Sequence, residues 1–126
     1  MPEPKPLTLL IVDDSHIIRR RIERSVAIDG LDIVGTAADG DEAVRKFRKL
    51  LPDAVTMDLT MPGMDGLQTI SAVLAIRPDT RILVVSALAD RSTAIEAIRR
   101  GARGFLSKPF DDAQLNEALT ELLELH

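Results

Sequence analysis

Residues 54–66 read Ala-Val-Thr-Met-Asp-Leu-Thr-Met-Pro-Gly-Met-Asp-Gly. A largely apolar run, Ala54-Val55-Thr56-Met57, ends on the carboxylate of Asp58, and a turn-rich loop, Pro62 to Gly66, follows. Leu67, Ile70, Val73 and Leu74 then recur at helical spacing. A short apolar run, a turn and a 3.6-residue period are a strand, a loop and a helix in succession. A strand that is apolar throughout belongs inside a parallel sheet covered on both faces by helices.

The same unit recurs in both directions. Upstream, Leu7-Thr8-Leu9-Leu10-Ile11-Val12 ends on Asp13-Asp14, and a helical pattern from Ser15 spaces Ile18, Ile22 and Val26 by four. Residues 32–37 make a weaker strand. Gly40-Asp41-Glu42 opens a helix carrying Ala43, Val44, Phe47, Leu50 and Leu51, which Pro52-Asp53 breaks. Downstream, Pro78 closes the central helix and residues 81–85 form a fourth strand. A helix over about 91–100 stops at Gly101, and residues 104–107 form a short fifth strand. In the last helix Asp111 caps and Gln114 returns the bond. Five such units predict an α/β fold, (βα)5, with a doubly wound parallel five-stranded sheet. No repeat, low-complexity stretch or linker interrupts the pattern.

At 126 residues the chain makes one domain that buries roughly two-thirds of its unfolded surface. With no Trp or Tyr and three Phe, its core is aliphatic. The absence of Cys excludes disulfides and thiolate chemistry, which suits a cytoplasmic protein. No apolar stretch approaches the ~18 residues of a membrane span. Residues 1–6, Met-Pro-Glu-Pro-Lys-Pro, lack an apolar signal-peptide core and read as an extended tail ahead of a domain over 7–126. The net charge of −4 argues against a nucleic-acid surface.

Ligands of open parallel sheets bind outside the carboxyl ends of the strands, where the strand order reverses. Asp13-Asp14, Asp58, Ser86 and Lys108 all fall at such ends. In the flavodoxin-like order 2-1-3-4-5 their four strands are neighbours, so the residues share one pocket. Adjacent carboxylates repel one another unless a hard divalent cation joins them, and Mg²⁺ takes one or two carboxylates plus a phosphate oxygen. Lys108 adds a compact cation that pairs with Asp58 at rest. Ser86 adds a hydroxyl donor, and the small Ala87 leaves a path inward. An acceptor, a metal site, a cation and a donor are the parts of phosphoryl transfer.

In order, Val12-Asp13-Asp14, Met57 to Pro62, Asp65-Gly66, Val85-Ser86-Ala87 and Lys108-Pro109-Phe110 resemble the receiver domain of two-component response regulators, the CheY-like superfamily. The resemblance spans about residues 7–125 and implies that Asp58 is the phosphoacceptor. It further implies that Asp14, Asp58 and the Thr60 backbone carbonyl hold Mg²⁺ directly, with Asp13 acting mainly through water. Ser86, Ala87 and Lys108 would bind the phosphoryl group, and Phe105 would be the switch aromatic that follows Ser86 inward. Pro109 would follow a cis bond. The implied partners are a sensor histidine kinase or histidine phosphotransfer protein, and a downstream effector on the surface of the fourth helix, fifth strand and fifth helix. No direct nucleic-acid contact or membrane insertion is implied. Leu88, unable to orient a water, implies slow self-dephosphorylation, and Phe105 stands where Tyr is frequent.

The function expected is therefore that of a stand-alone, chemotaxis-type phosphorylation switch rather than an enzyme. Its alternative is a receiver cut from a longer regulator. A Mg²⁺-dependent phosphohydrolase would carry a second Asp two residues beyond its nucleophile, where this chain has Thr60 and Ser15. A flavin or nucleotide binder would carry a phosphate loop where Asp13-Asp14 repels phosphate. Arg19-Arg20-Arg21 with Arg24, and Arg45-Lys46 with Arg48-Lys49, read as solvated helix faces, the first also suited to an acidic partner. Met57, Met61 and Met64 read as packing residues, and His16 as exposed beside the site.

Overall fold

The protein is described from a computed structural model covering residues 5–87 and 91–124. Strands β1 (Leu7–Val12), β2 (Leu31–Ala37), β3 (Ala54–Met57), β4 (Arg81–Ala87) and β5 (Gly104–Lys108) alternate with five helices. These are α1 (His16–Ser25), α2 (Gly40–Leu50), α3 (Gly66–Ile76), α4 (Arg91–Arg99) and α5 (Asp112–Glu124). All neighbouring strands pair in parallel, in the order β2-β1-β3-β4-β5. Of the expected tail, Lys5 and Pro6 are exposed and outside any element, and residues 1–4 lie outside the described residues.

Side-chain alternation along the strands divides the core in two. Leu10, Val12, Val55, Met57, Ile82 and Val84 face α2, α3 and α4, where Phe47, Ile70, Val73 and Ala97 meet them. Leu9, Ile11, Ala54, Leu83 and Val85 face α1 and α5, where Ile22, Leu115, Leu119 and Leu122 meet them. Each fully buried aliphatic side chain stabilises the fold by roughly 1.5–3 kcal/mol. Met57 and Met61 belong to the first cluster, as packing residues.

The helices start where short polar side chains can cap them. Ser15 accepts from the Ile18 amide and Asp39 from the Glu42 amide. Asp65 and Gln68 form a complete capping box, and Asp111 and Gln114 exchange the same pair of bonds at 2.8 and 2.9 Å. Leu51, held left-handed at φ 44°, caps the carboxyl end of α2 directly before Pro52.

Several boundaries differ from the sequence reading. Ser15 is a cap rather than a helical residue, β2 begins one residue earlier, and α4 ends at Arg99. More consequentially, β4 and β5 run on to Ala87 and Lys108, because Ser86 pairs with Ser107 and Ala87 with Lys108. Ser86 and Lys108 therefore stand on the rigid ends of strands and not on loops.

Candidate functional site

The backbone ladder continues one residue beyond β1 and β3. The Asp13 amide donates to the Ala37 carbonyl and the Asp58 amide to the Val12 carbonyl, each at 3.0 Å. Two acidic residues are thus anchored as firmly as strand residues. The two residues are 1% and 3% exposed, whereas Asp14 is exposed. One oxygen from each of Asp13, Asp14 and Asp58 lies within 4.8 Å of the other two.

Each buried carboxylate is oriented. Asp13 Oδ1 accepts from the Ser15 amide at 2.8 Å and Asp13 Oδ2 from Lys108 Nζ at 2.8 Å. Asp58 Oδ1 accepts from the Thr60 amide at 3.1 Å. The Lys108 ammonium is 3.8 Å from Asp58 Oδ2. The expected resting pair of Lys108 with Asp58 is therefore the looser of two contacts, and the hydrogen bond goes to Asp13. The next bond, Lys108–Pro109, is cis.

Burial disfavours the charged form of Asp58 and is the largest influence on it. The Thr60 amide and Lys108 act in the opposite direction, and Asp13 and Asp14 reinforce burial, so its pKa is raised to about 6. Three carboxylates facing one ammonium leave an excess of negative charge among hard oxygen donors. That donor set fits Mg²⁺.

Ser86 is buried, and with Ala87, Leu59, Thr60, Met61 and Phe105 it borders a cavity of about 330 Å³. Phe105 is half-buried against the α2–α4 side of the core. Asp13, Asp14, Asp58 and Lys108 thus converge, while Ser86, Ala87 and Phe105 form the wall toward α4. Leu88 lies outside the described residues.

Three of the residues read as solvated are engaged with backbone, Lys46 among them through the Thr36 carbonyl. Arg19 Nη1 donates to the Asp13 carbonyl, and Arg21 Nη2 to the Phe110 carbonyl, each at 2.7 Å. The Arg21 guanidinium also lies 5.3 Å from the centre of the Phe110 ring. Gly66 is a further site residue whose role the sequence left unstated. A Cβ there would fall 2.4 Å from the Asp58 carbonyl oxygen and 2.5 Å from Leu59 Cα. The Asp65-x-x-Gln68 spacing marks the helix start that this close approach requires.

Comparison with known proteins agrees with this geometry. Residues 9–120 match the family of the response regulator receiver domain. The chain is 40% identical over 114 residues to the chemotaxis protein CheY of Thermotoga maritima, covering 90% of this chain and 95% of that protein. It is 35% identical over 114 residues to the response regulator GacA of Pseudomonas syringae pv. syringae, covering 90% of this chain but 53% of that protein. Among solved structures, a chain of the CheX-CheY-BeF3-Mg+2 complex from Borrelia burgdorferi superposes with a TM-score of 0.88 at 33% identity, covering 95% of this chain and 91% of that one.

Proposed function

The chain belongs to the response regulator receiver family, and from that premise we propose that it is a cytoplasmic, chemotaxis-type phosphorylation switch. Asp58 takes a phosphoryl group from the phosphohistidine of a sensor kinase or phosphotransfer protein. The nitrogen–phosphorus bond breaks with its electron pair left on the imidazole, and a new bond forms between phosphorus and an Asp58 carboxylate oxygen. The observation that carries this reading is the buried Asp58 carboxylate, with oxygens of Asp13 and Asp14 within 4.8 Å of it and Lys108 Nζ at 3.8 Å.

Asp14, Asp58 and the Thr60 carbonyl would hold Mg²⁺, with Asp13 mainly through water. The bound ion supplies charge neutralisation as negative charge gathers on the transferring oxygens. Lys108, placed by Asp13, pairs with the phosphoryl oxygens as they arrive. Ser86 donates its hydroxyl to the same group, and Ala87 beside it adds no bulk in the way. As Ser86 is drawn toward the acceptor, Phe105 fills the space vacated along the cavity wall. The outer surface of α4, β5 and α5 then changes for an effector protein, and Ile95 and Ile98 on α4 offer it exposed apolar area. A near-complete switch requires about 5.5 kcal/mol of differential stabilisation.

Near-complete coverage of the CheY relative favours a short regulator. Partial coverage of GacA keeps the alternative of a receiver within a longer one. Intact mass after incubation with acetyl phosphate, with and without Mg²⁺, tests the acceptor. A gain of one phosphate that needs Mg²⁺ and is absent in Asp58→Ala supports the reading. A gain that persists in the variant overturns it.

A further inference from the structure

Asp14 is exposed, so its position comes from its backbone rather than from packing around its carboxylate. The peptide that joins it to Asp13 is held from outside. Arg19, one turn into α1, reaches back over the helix start and donates Nη1 to the Asp13 carbonyl at 2.7 Å. Its other terminal nitrogen, Nη2, lies 3.5 Å from His16 Nδ1. On the other side of the same residue, Asp13 Oδ1 accepts the Ser15 amide and Oδ2 the Lys108 ammonium. Apart from the ladder bond of the Asp13 amide to the Ala37 carbonyl, Arg19 is the partner of Asp13 that comes from beyond the turn and the site.

We propose that Arg19 is a positioning residue for the divalent-cation site, fixing the Asp13–Asp14 peptide so that Asp14 presents its carboxylate beside Asp58. The inference rests on the reading of that cluster as a Mg²⁺ site. It opposes what charge alone would do, since a guanidinium near a dication weakens binding by repulsion. The sign of the effect therefore separates positioning from electrostatics.

The test is calorimetric titration of Mg²⁺ into wild type, Arg19→Ala and Arg19→Gln, without a phosphodonor. Amide exchange at Ser15 and thermal melting are followed in EDTA. Removing an outer-shell support typically costs metal sites tenfold or more, and the Ala variant is expected to bind Mg²⁺ on the order of tenfold more weakly. Its Ser15 amide should exchange faster while its melting temperature changes little. The Gln variant, a neutral donor, should recover most of the affinity. Equal or tighter binding by the Ala variant overturns the inference and leaves the site reading intact. Absence of Mg²⁺ binding by wild type overturns both. Should Arg19→Ala fail to fold, the Gln variant decides: affinity near wild type supports positioning by the hydrogen bond, and tighter binding leaves only charge.

Discussion

Asp58 shows how one residue sets stability and reactivity against each other. Its folded pKa, about 6, lies above the ordinary 3.8, so the folded state binds the proton more tightly than the unfolded chain. Stability from this group is complete below about pH 4 and declines as pH rises through the folded value of about 6. At neutral pH the ionised carboxylate costs up to about 3 kcal/mol. In EDTA, Asp58→Asn should therefore melt several degrees higher than wild type at pH 7, and the difference should shrink toward pH 4. Circular dichroism melts at both pH values check this, since the chain has no Trp. A second residue carries a burden without a chemical use. The Thr56 hydroxyl is buried with no hydrogen-bond partner among the described residues, so Thr56→Val should raise stability by about 1 kcal/mol, read as a higher urea midpoint. Acidic identity at positions 13, 14 and 58 was legible because polar residues at strand ends are conspicuous. Thr56 was not, because a β-branched residue fits a strand pattern whether or not its hydroxyl is paired.

Among the elements, α3 bears most directly on Asp58. Its capping box places the first helical residue against the Asp58 main chain, and Gly66 is the residue that leaves room for that approach. Gly66→Ala should destabilise the fold by about 1–3 kcal/mol and slow acyl-phosphate formation more than stability loss alone explains, measured by intact mass against time at saturating Mg²⁺. α2 presses on the loop before α3 and on α3 itself, where a Cβ at Gly40 would sit 2.6 Å from the Met64 carbonyl oxygen and 2.5 Å from Thr69 Oγ1. α1 and α5 are stitched on the opposite face. The Ser25 hydroxyl donates to Asp112 Oδ1, while Asn116 accepts the Ala27 amide and donates to the Ser25 carbonyl. Elements were readable from periodicity and caps, within a residue or two at most ends. The extensions of β4 and β5 were not, because a ladder continues for as long as its neighbour does, and that length is a property of the pair.

At the scale of the molecule, the fold gathers an acidic cluster at one end of the sheet and leaves it dependent on whatever binds there. Mg²⁺ at about a hundred times its dissociation constant should stabilise wild type by roughly 2.7 kcal/mol, with the melting temperature rising with concentration and returning in EDTA. Asp14→Asn should lose most of that rise, and calorimetric melts across a Mg²⁺ series check both. Most of the architecture followed from the sequence alone. The five alternations, the parallel sheet and the strand ends bearing Asp13, Asp14, Asp58, Ser86 and Lys108 are written in local spacing, because hydrophobic period and turn residues act between near neighbours. Only the tertiary structure decided that Lys108 bonds to Asp13 more closely than to Asp58, that Arg19 and Arg21 hold backbone carbonyls, and that burial lifts the Asp58 pKa. Lys108 and Asp13 are 95 residues apart in the chain, and a difference of 1 Å between two candidate partners is set by how helices and strands pack, which no local pattern records.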